Sequence, residues 1–374
     1  MSRHLRILHL GEMKGGGAAP SVHSDQVCQA LRQLGHTVTQ QDGGLRYRFA
    51  PARLAESLFK SLRIGSLILR RRFDLIYCRE TWLDPFAGVM FRMLGVPSVT
   101  EVNGLVLNDL RLDGARGWLM WLSQWCQGWN LKSSTGVVAA CAAWADFLRD
   151  TYGLKRVEVI QNGVELEQFG GGSGLPWRAQ LGLDSSDLVL GYVGNLGRYY
   201  DFEPFLKSLK GLVRDYPALR MVIVGSGPGA QRIRALAEQL QVTDWVRFHG
   251  PVAHGEVPGL LRAFDLGLLP VSAPRLKETR GVLHAMKLAE YCAAGLPILR
   301  SDYPGSDSDR LLNDFSWAVS PPSDSAEEAL RCALQVRADW PEMGRKARAF
   351  AEERLSWRES MVRLESLILR WTSP

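Results

Sequence analysis

The sequence predicts an α/β protein of two Rossmann-like domains, each a doubly wound parallel sheet, facing a common cleft. Three observations predict it. The chain has 374 residues, more than one ordinary core uses and enough for two domains of about 150–200 residues. Short apolar runs alternate with amphipathic stretches of helical period, the βα pattern of a parallel sheet. The pattern halts at a glycine tract, 170–174, and then starts again. Hydrophobic residues make up 46% and charged residues 22%, which excludes a disordered chain, a collagen-like fibre and a polytopic membrane protein. No uninterrupted apolar run approaches the ~18–20 residues that span a bilayer.

Arg6–Leu10 reads as the first strand, because Arg3, His4, Arg6 and His9 break the apolar stretch that a signal peptide needs. It ends at a glycine-rich loop, Gly15-Gly16-Gly17. A helix follows over Ser21–Leu34, closed by Gly35-His36, and then a strand over Thr37–Gln41. Asp74–Cys78, Ser98–Val102 and Gly136–Ala140 are further strands. The tract Gly170–Gly174, followed by Pro176, is expected to link the domains, giving 1–170 and 175–354. The second half opens with a strand over Leu188–Gly194 and a helix over Glu203–Tyr216. A strand at Arg220–Val224 ends in Gly225-Ser-Gly-Pro-Gly, followed by a helix at Gln231–Leu240 and a strand at Val246–Phe248. A helix at Val257–Phe264 and a strand at Leu266–Leu269 complete the run. Halves of this kind bind ligands at the carboxyl ends of their strands.

The formal net charge is +6. Residues 1–172 hold 20 basic and 15 acidic side chains and the remainder 25 and 24, so the excess lies in the first half. That favours an anionic partner there, but is too weak to indicate nucleic acid. The six cysteines, at 28, 78, 126, 141, 292 and 332, show no CxxC pair and no zinc spacing. They are expected to be reduced core thiols in a cytoplasmic protein.

The run Gly225-Ser-Gly-Pro-Gly is a poor dinucleotide fingerprint: its spacing is GxGxG, Pro228 sits inside it, and no acidic residue ends the next strand. More specific is Met286-Lys-Leu-Ala-Glu-Tyr-Cys-Ala-Ala-Gly-Leu-Pro-Ile-Leu299. Here a helix carries Lys287 and Glu290 on one face and is stopped by Gly295 and Pro297. A helix start near Val282–His284, including Leu283, would offer free backbone N–H groups to a phosphate. Glu290, further on, could accept from two ribose hydroxyls. A surface ion pair between Lys287 and Glu290 accounts for the same residues equally well.

This stretch resembles the signature of family-4 retaining glycosyltransferases of the GT-B fold, in the variant K-x-x-E-Y-x-A-x-G-x-P. Other segments resemble the family in the same order. They are Val159-Ile-Gln-Asn-Gly-Val-Glu165, Gly191-Tyr-Val-Gly-Asn-Leu-Gly197, Val222–Pro228 and Val246-Arg-Phe-His-Gly250. Ser356-Trp357 resembles the start of a C-terminal helix that returns to the first domain, so 355–374 is expected to complete it. The resemblance is strongest over 159–300. It implies that Glu290 holds the ribose of a nucleotide-sugar and Lys287 lies near its phosphates. Gly15, Gly16 and Gly17 would face the donor from the first domain. The turns at Gly194-Asn195, Gly225 and Gly250-Pro251 would border it from the second.

The sequence also departs from the family pattern. The position eight residues before Glu290, often Glu in the family, is Val282; Glu278 and Arg280 are the neighbours that could reach the sugar instead. The paired Arg and Lys for the pyrophosphate align with Asn195 and Tyr200, leaving Arg198 as the cation of that loop. A His on the first domain's wall aligns with Asn103, whose amide hydrogen-bonds sugar hydroxyls but does not titrate. Asp307-Ser-Asp309 resembles the DxD metal site of the other large glycosyltransferase fold. In this fold it reads as a turn or helix cap, and no metal is expected.

Two further segments are amphipathic. Over 53–72, Leu54, Leu58, Leu62 and Leu69 share one helical face, with Lys60, Arg63, Arg70 and Arg71 opposite. This is either an interfacial membrane helix or a core-facing helix with a solvated basic side. Trp118, Trp121, Trp125 and Trp129 fall within about 80° of arc, as a membrane belt, an acceptor groove or core packing.

The resemblance therefore implies retaining transfer of a sugar from a nucleotide-diphosphate-sugar to a hydroxyl, with no metal and no cofactor beyond the donor. Asn103, Arg198, Lys287 and Glu290 would be the catalytic set. Positioning and stabilisation of the leaving diphosphate would do the chemistry, and domain closure would exclude water. The setting implied is synthesis of cell-surface polysaccharide or glycolipid by a cytoplasmic protein at the membrane's cytoplasmic face. The acceptor would be a sugar or a lipid-linked sugar, with membrane contact through 53–72 and no nucleic acid. Two alternatives stay open: a degenerate nucleotide-sugar-binding scaffold and a nucleotide-sugar epimerase.

Overall fold

The computed structural model describes residues 4–11, 19–42, 50–80, 84–105, 107, 110–111, 114–197, 199–283, 285–320 and 325–372. The chain forms two compact units, Met1–Gln161 with Trp357–Pro374, and Asn162–Ser356.

The first unit is built on six parallel strands: β1 (Arg6–Gly11), β2 (Thr37–Asp42), β3 (Leu75–Arg79), β4 (Ser98–Val102), β5 (Gly136–Ala139) and β6 (Val157–Val159). Their spatial order is β2-β1-β3-β4-β5-β6, so the order reverses between β1 and β3. Alternate side chains of each strand serve opposite faces. Ile7, Tyr77, Val99 and Val138 meet the helix Ala19–Gln33 and the C-terminal helix Trp357–Thr372. Leu8, Leu10, Ile76 and Cys78 meet Ile64, Ile68 and Phe91 from the helices Ala50–Arg70 and Pro85–Leu94. Burial on both faces explains why the strands read as continuous apolar runs.

The C-terminal helix is part of this core. Trp357, Met361, Leu364, Ile368 and Trp371 are all buried there. The Trp371 ring occupies the space a side chain at Gly136 would need, and the Trp357 indole donates to Gln26 at 3.0 Å.

The second unit repeats the plan with β7 (Leu188–Val193), β8 (Leu219–Val224), β9 (Val246–His249), β10 (Leu266–Leu269), β11 (Ile298–Ser301) and β12 (Ser316–Val319). The order is β12-β11-β10-β7-β8-β9, all parallel, reversing between β7 and β10. The α/β architecture read from the sequence is the one observed.

Three local expectations differ from the structure. The glycine tract 170–174 lies inside the second unit, eight residues or more beyond its first residue, Asn162. Residues 170–173 are exposed, and the tract is packed only at its end, where a Cβ on Gly174 would collide with the Arg262 carbonyl. Five cysteines are free and buried, but Cys332 is exposed. The helix Ala50–Arg70 turns Leu58, Leu62 and Leu69 to solvent. Its inward side is built from Ser57, Ser61, Ile64, Gly65 and Ile68, which excludes the reading of a leucine stripe facing the core.

Candidate functional site

In the second unit the turns that follow β7 and β8 interlock backbone to backbone. Gly194 N–H donates to the Val224 carbonyl at 2.9 Å, Leu196 N–H to Ser226 at 2.9 Å, and Gly229 N–H to Leu196 at 2.7 Å. Gly194 and Gly225 adopt φ of 142° and 136°, a region open to glycine but not to residues with a Cβ. A Cβ on Gly225 would also strike the Gly194 carbonyl. The glycines read as a weak dinucleotide motif thus serve close packing of two strand ends.

Lys287 crosses this floor. Its side chain runs over Gly194, where a Cβ would collide with it. Its ammonium donates to the Tyr200 hydroxyl at 3.0 Å and lies 4.7 Å from the Tyr200 ring centre and 5.4 Å from that of Tyr192. The Tyr200 hydroxyl and ring therefore seat this cation. Asn195 is exposed beside the same turn, and its backbone carbonyl accepts from Tyr192 at 2.6 Å.

Three residues along the same helix, Met286–Ala293, Glu290 is not paired with Lys287. Its Oε1 lies 3.1 Å from Nε2 of His254, and that hydrogen bond holds the imidazole above its ordinary pKa. His254 stands on a short 3₁₀ turn, His254–Glu256, so Gly250 and Pro251, both exposed, lead directly towards Glu290. The surface ion-pair reading of Lys287 and Glu290 is excluded. Sequence reasoning missed His254; the signal available was its place four residues after the Gly250 turn.

The segment before this helix differs from expectation. The helix begins at Met286, with Ala285 as its N-cap residue. Upstream, the Val282 N–H is taken by Ser308 Oγ at 3.1 Å and the Val282 side chain is wholly buried. No amide cradle forms at Val282; Leu283 lies half-buried against the core. Glu278 pairs with Arg275 at 2.7 Å, and Arg280 is exposed at a φ of 52°.

A buried ionic network underlies this segment. Arg300 pairs with Asp302, and both side chains are fully buried. Arg300 also donates to Ser316 at 2.9 Å and Asn313 at 2.9 Å. Ser308 Oγ donates to Asp302 while accepting from Val282. Asp309 N–H donates to Ser306 at 3.0 Å, and Asp309–Leu312 is a short helix. The Asp307-Ser-Asp309 triplet is thus a turn and helix start, as its position implied.

In the first unit, polar side chains collect at the carboxyl ends of β1, β3 and β4. His23 Nε2 lies 3.0 Å from Glu101 Oε1 and 3.4 Å from the Asn103 amide nitrogen. His9 stacks on Tyr77 with ring centres 5.7 Å apart. Burial pulls the His9 imidazole down to about 4. Burial alone would raise Glu101, but the adjacent His23 outweighs it and brings the carboxyl to about 2. Asn103 therefore does not act alone: a histidine from the neighbouring helix sits against its amide. Sequence reasoning missed His23 because nothing in linear spacing joins residue 23 to residue 103. Of the remaining site residues, Gly15, Gly16, Gly17, Arg198 and His284 lie outside the described residues.

Residues 16–168 match the family model described as Glycosyltransferase Family 4, and residues 175–350 match that described as Glycosyl transferases group 1. Both halves of the chain belong to glycosyltransferase families. Over 185 residues this glycosyltransferase-family chain is 28% identical to D-inositol 3-phosphate glycosyltransferase of Segniliparus rotundus, covering 48% of the chain and 39% of that protein. The chain thus spans about two fifths of the length of the curated relatives it first matches. Sucrose-phosphate synthase from Thermosynechococcus elongatus superposes with a TM-score of 0.73 at 17% identity, over 98% of this chain and 99% of that one. HepE of Anabaena, solved in complex with UDP and glucose, gives 0.72 at 15% identity over 97% and 100%. The fold of this glycosyltransferase-family chain is GT-B.

Proposed function

We propose that the protein is a retaining glycosyltransferase that moves a sugar from a nucleotide-diphosphate-sugar to a hydroxyl acceptor. One observation carries this reading: Glu290 presents a carboxylate beside an exposed turn and is anchored on one oxygen by His254. That leaves Oε2 for a ribose hydroxyl, with His254 steadying the carboxylate. Lys287, seated on Tyr200 and Gly194, is the cation proposed for the diphosphate, together with Arg198. The UDP found with HepE supports a uridine donor as the first to test.

In this reading the protein binds, orients and stabilises charge, and it needs neither a metal nor a further cofactor. Preorganised donors aimed at the departing diphosphate supply the rate enhancement. Asn103, held against His23, is proposed to meet the donor sugar. The acceptor is proposed to be a sugar or lipid-linked sugar in cell-surface polysaccharide or glycolipid synthesis. The protein would work at the cytoplasmic face of the membrane, touching it through 53–72.

Calorimetric titration with UDP and UDP-sugars tests the site. Replacement of Glu290 by Ala removes a charged hydrogen bond, worth about 1.5–3 kcal/mol, so affinity should fall roughly tenfold to a hundredfold. Unchanged affinity would sink the ribose assignment. Transfer that survives EDTA unchanged is expected, and loss of activity on chelation would overturn the metal-independent reading.

A second reading has its own observation. The position of the family's carboxylate is filled by Val282, which is buried in the core, as a donor-binding scaffold without transfer would allow. Nucleotide binding without single-turnover transfer would favour it.

A further inference from the structure

Three helices of the first unit pack side by side over one face of its sheet. Gly65 of Ala50–Arg70 faces Met90 of Pro85–Leu94, and Gly88 of the latter lies against Asn130 of Gly117–Ser133. Leu54 packs on Cys126, joining the outer two. The inward side of this layer is closed by polar bonds: Ser57 donates to Asp84, and Gly88 N–H to Asn130 at 2.9 Å.

The outward side is apolar. Leu58, Phe59, Leu62 and Leu69 of the first helix are exposed, with Leu69 at 75%. Met93 of the second is exposed at 80%. On the third, Trp118, Trp121, Trp125 and Trp129 are 40–67% exposed, and Trp125 stacks on Trp129 at 6.1 Å. Core packing is thereby excluded for these tryptophans. Water-soluble surfaces seldom carry so much contiguous apolar area without a use for it.

Charge identifies the occupant. The three helices contain a single carboxylate, Glu56, which pairs with Lys60 at 3.5 Å. Arg63, Arg70, Arg92 and Lys132 are exposed on the same helices, with Arg71, Arg72 and Arg116 at their ends; the carboxylate at a helix end, Asp84 before Pro85–Leu94, accepts from Ser57. Aromatic and leucine side chains bordered by cations and nearly free of carboxylates match a bilayer with anionic headgroups. No helix among the described residues is long and apolar enough to cross a membrane, so the contact is interfacial.

We propose that this three-helix face seats the protein on an anionic lipid bilayer, with the four tryptophans at headgroup depth and the Leu58–Leu69 stripe dipping beneath them. It extends the membrane contact proposed above from one helix to a face and names the lipid class. Its success does not depend on the donor site, which is read out separately by nucleotide titration.

The test is flotation of the full chain with vesicles of phosphatidylcholine containing about one third phosphatidylglycerol, and with phosphatidylcholine alone, using brominated lipids to quench tryptophan emission. Binding to the anionic vesicles with quenching is expected, weakened at least tenfold by high salt or by pure phosphatidylcholine. Trp121→Ser with Trp125→Ser, and separately Leu62→Ser with Leu69→Ser, should each cut binding at least tenfold while leaving UDP affinity intact. These side chains are exposed, so the variants keep the core; Arg63→Gln with Arg70→Gln probes the charge without touching apolar packing. No flotation of the wild-type protein would overturn the proposal. So would binding unaffected by every variant, or a dimer by light scattering that the tryptophan variant abolishes, since a second copy would then cover the face.

Discussion

Glu80 follows β3, and its buried carboxyl accepts from the Gln127 amide, which in turn accepts from the Tyr152 hydroxyl. Burial pushes this carboxyl up to about 8, against the opposing pull of Gln127. A carboxyl raised on folding stabilises the native state fully below its ordinary value, near 4.5. That contribution is lost as pH rises through about 8. Glu80→Gln should therefore be more stable than wild type at pH 8–9, with the difference shrinking towards pH 5. Urea midpoints measured across that range check it, and a pH-independent difference would refute the neutral-carboxyl account. His9 has the opposite sign: its imidazole is lowered, so its contribution is present above about 6.5 and lost as pH falls through about 4. At this scale the sequence revealed Lys287 and Glu290, because a local motif on one helix marks them. It concealed partners brought by folding. His254 reaches Glu290 across 36 positions and His23 reaches Asn103 across 80, separations that no spacing rule encodes.

Elements were the most legible level, because period and glycine placement act locally. Ser98–Val102 and Leu266–Leu269 run between the residues expected, and most other boundaries shift by one or two. The start expected near Val282 did not form there because its N–H is taken by Ser308, which is tied to Asp302 and through it to Arg300, and this constraint comes from a later strand. Arg300→Met leaves the Asp302 carboxylate buried without its cation, a loss of about 3–5 kcal/mol, while Asp302→Ala should cost less, because Asp309 stays 3.5 Å from Arg300. The double replacement should recover much of it, as a double-mutant cycle in urea would read. At the β7 and β8 turns, Gly225→Ala should cost about 1–3 kcal/mol from backbone conformation alone, with further loss from the collision with Gly194. It should also weaken UDP binding, because the floor beneath Lys287 moves. A variant as stable as wild type would show that the turn relaxes freely. The amphipathic helix Ala50–Arg70 was legible as a pattern but not in orientation, since period alone does not say which face meets the sheet.

The whole molecule consists of two units with separate cores, so a single unfolding free energy does not describe it. Thermal unfolding should depart from two-state form. Saturating UDP should raise only the transition of Asn162–Ser356, by about 2.7 kcal/mol at a hundred times the dissociation constant. An equal rise of both transitions would place the nucleotide elsewhere. Removing Trp357–Pro374 should leave that unit folded and abolish the cooperative melt of the other, which loses Trp357, Met361 and Leu364 from its core. The fit of the Trp371 ring over Gly136 also sets a timetable for synthesis. The first 161 residues leave the ribosome early, yet the ring that covers Gly136 is made about 200 residues later. At roughly 5–20 residues per second, the nascent first unit waits some 10–40 s with that flank of its sheet open. A cell that makes this protein must shelter that flank on the ribosome until the last helix arrives.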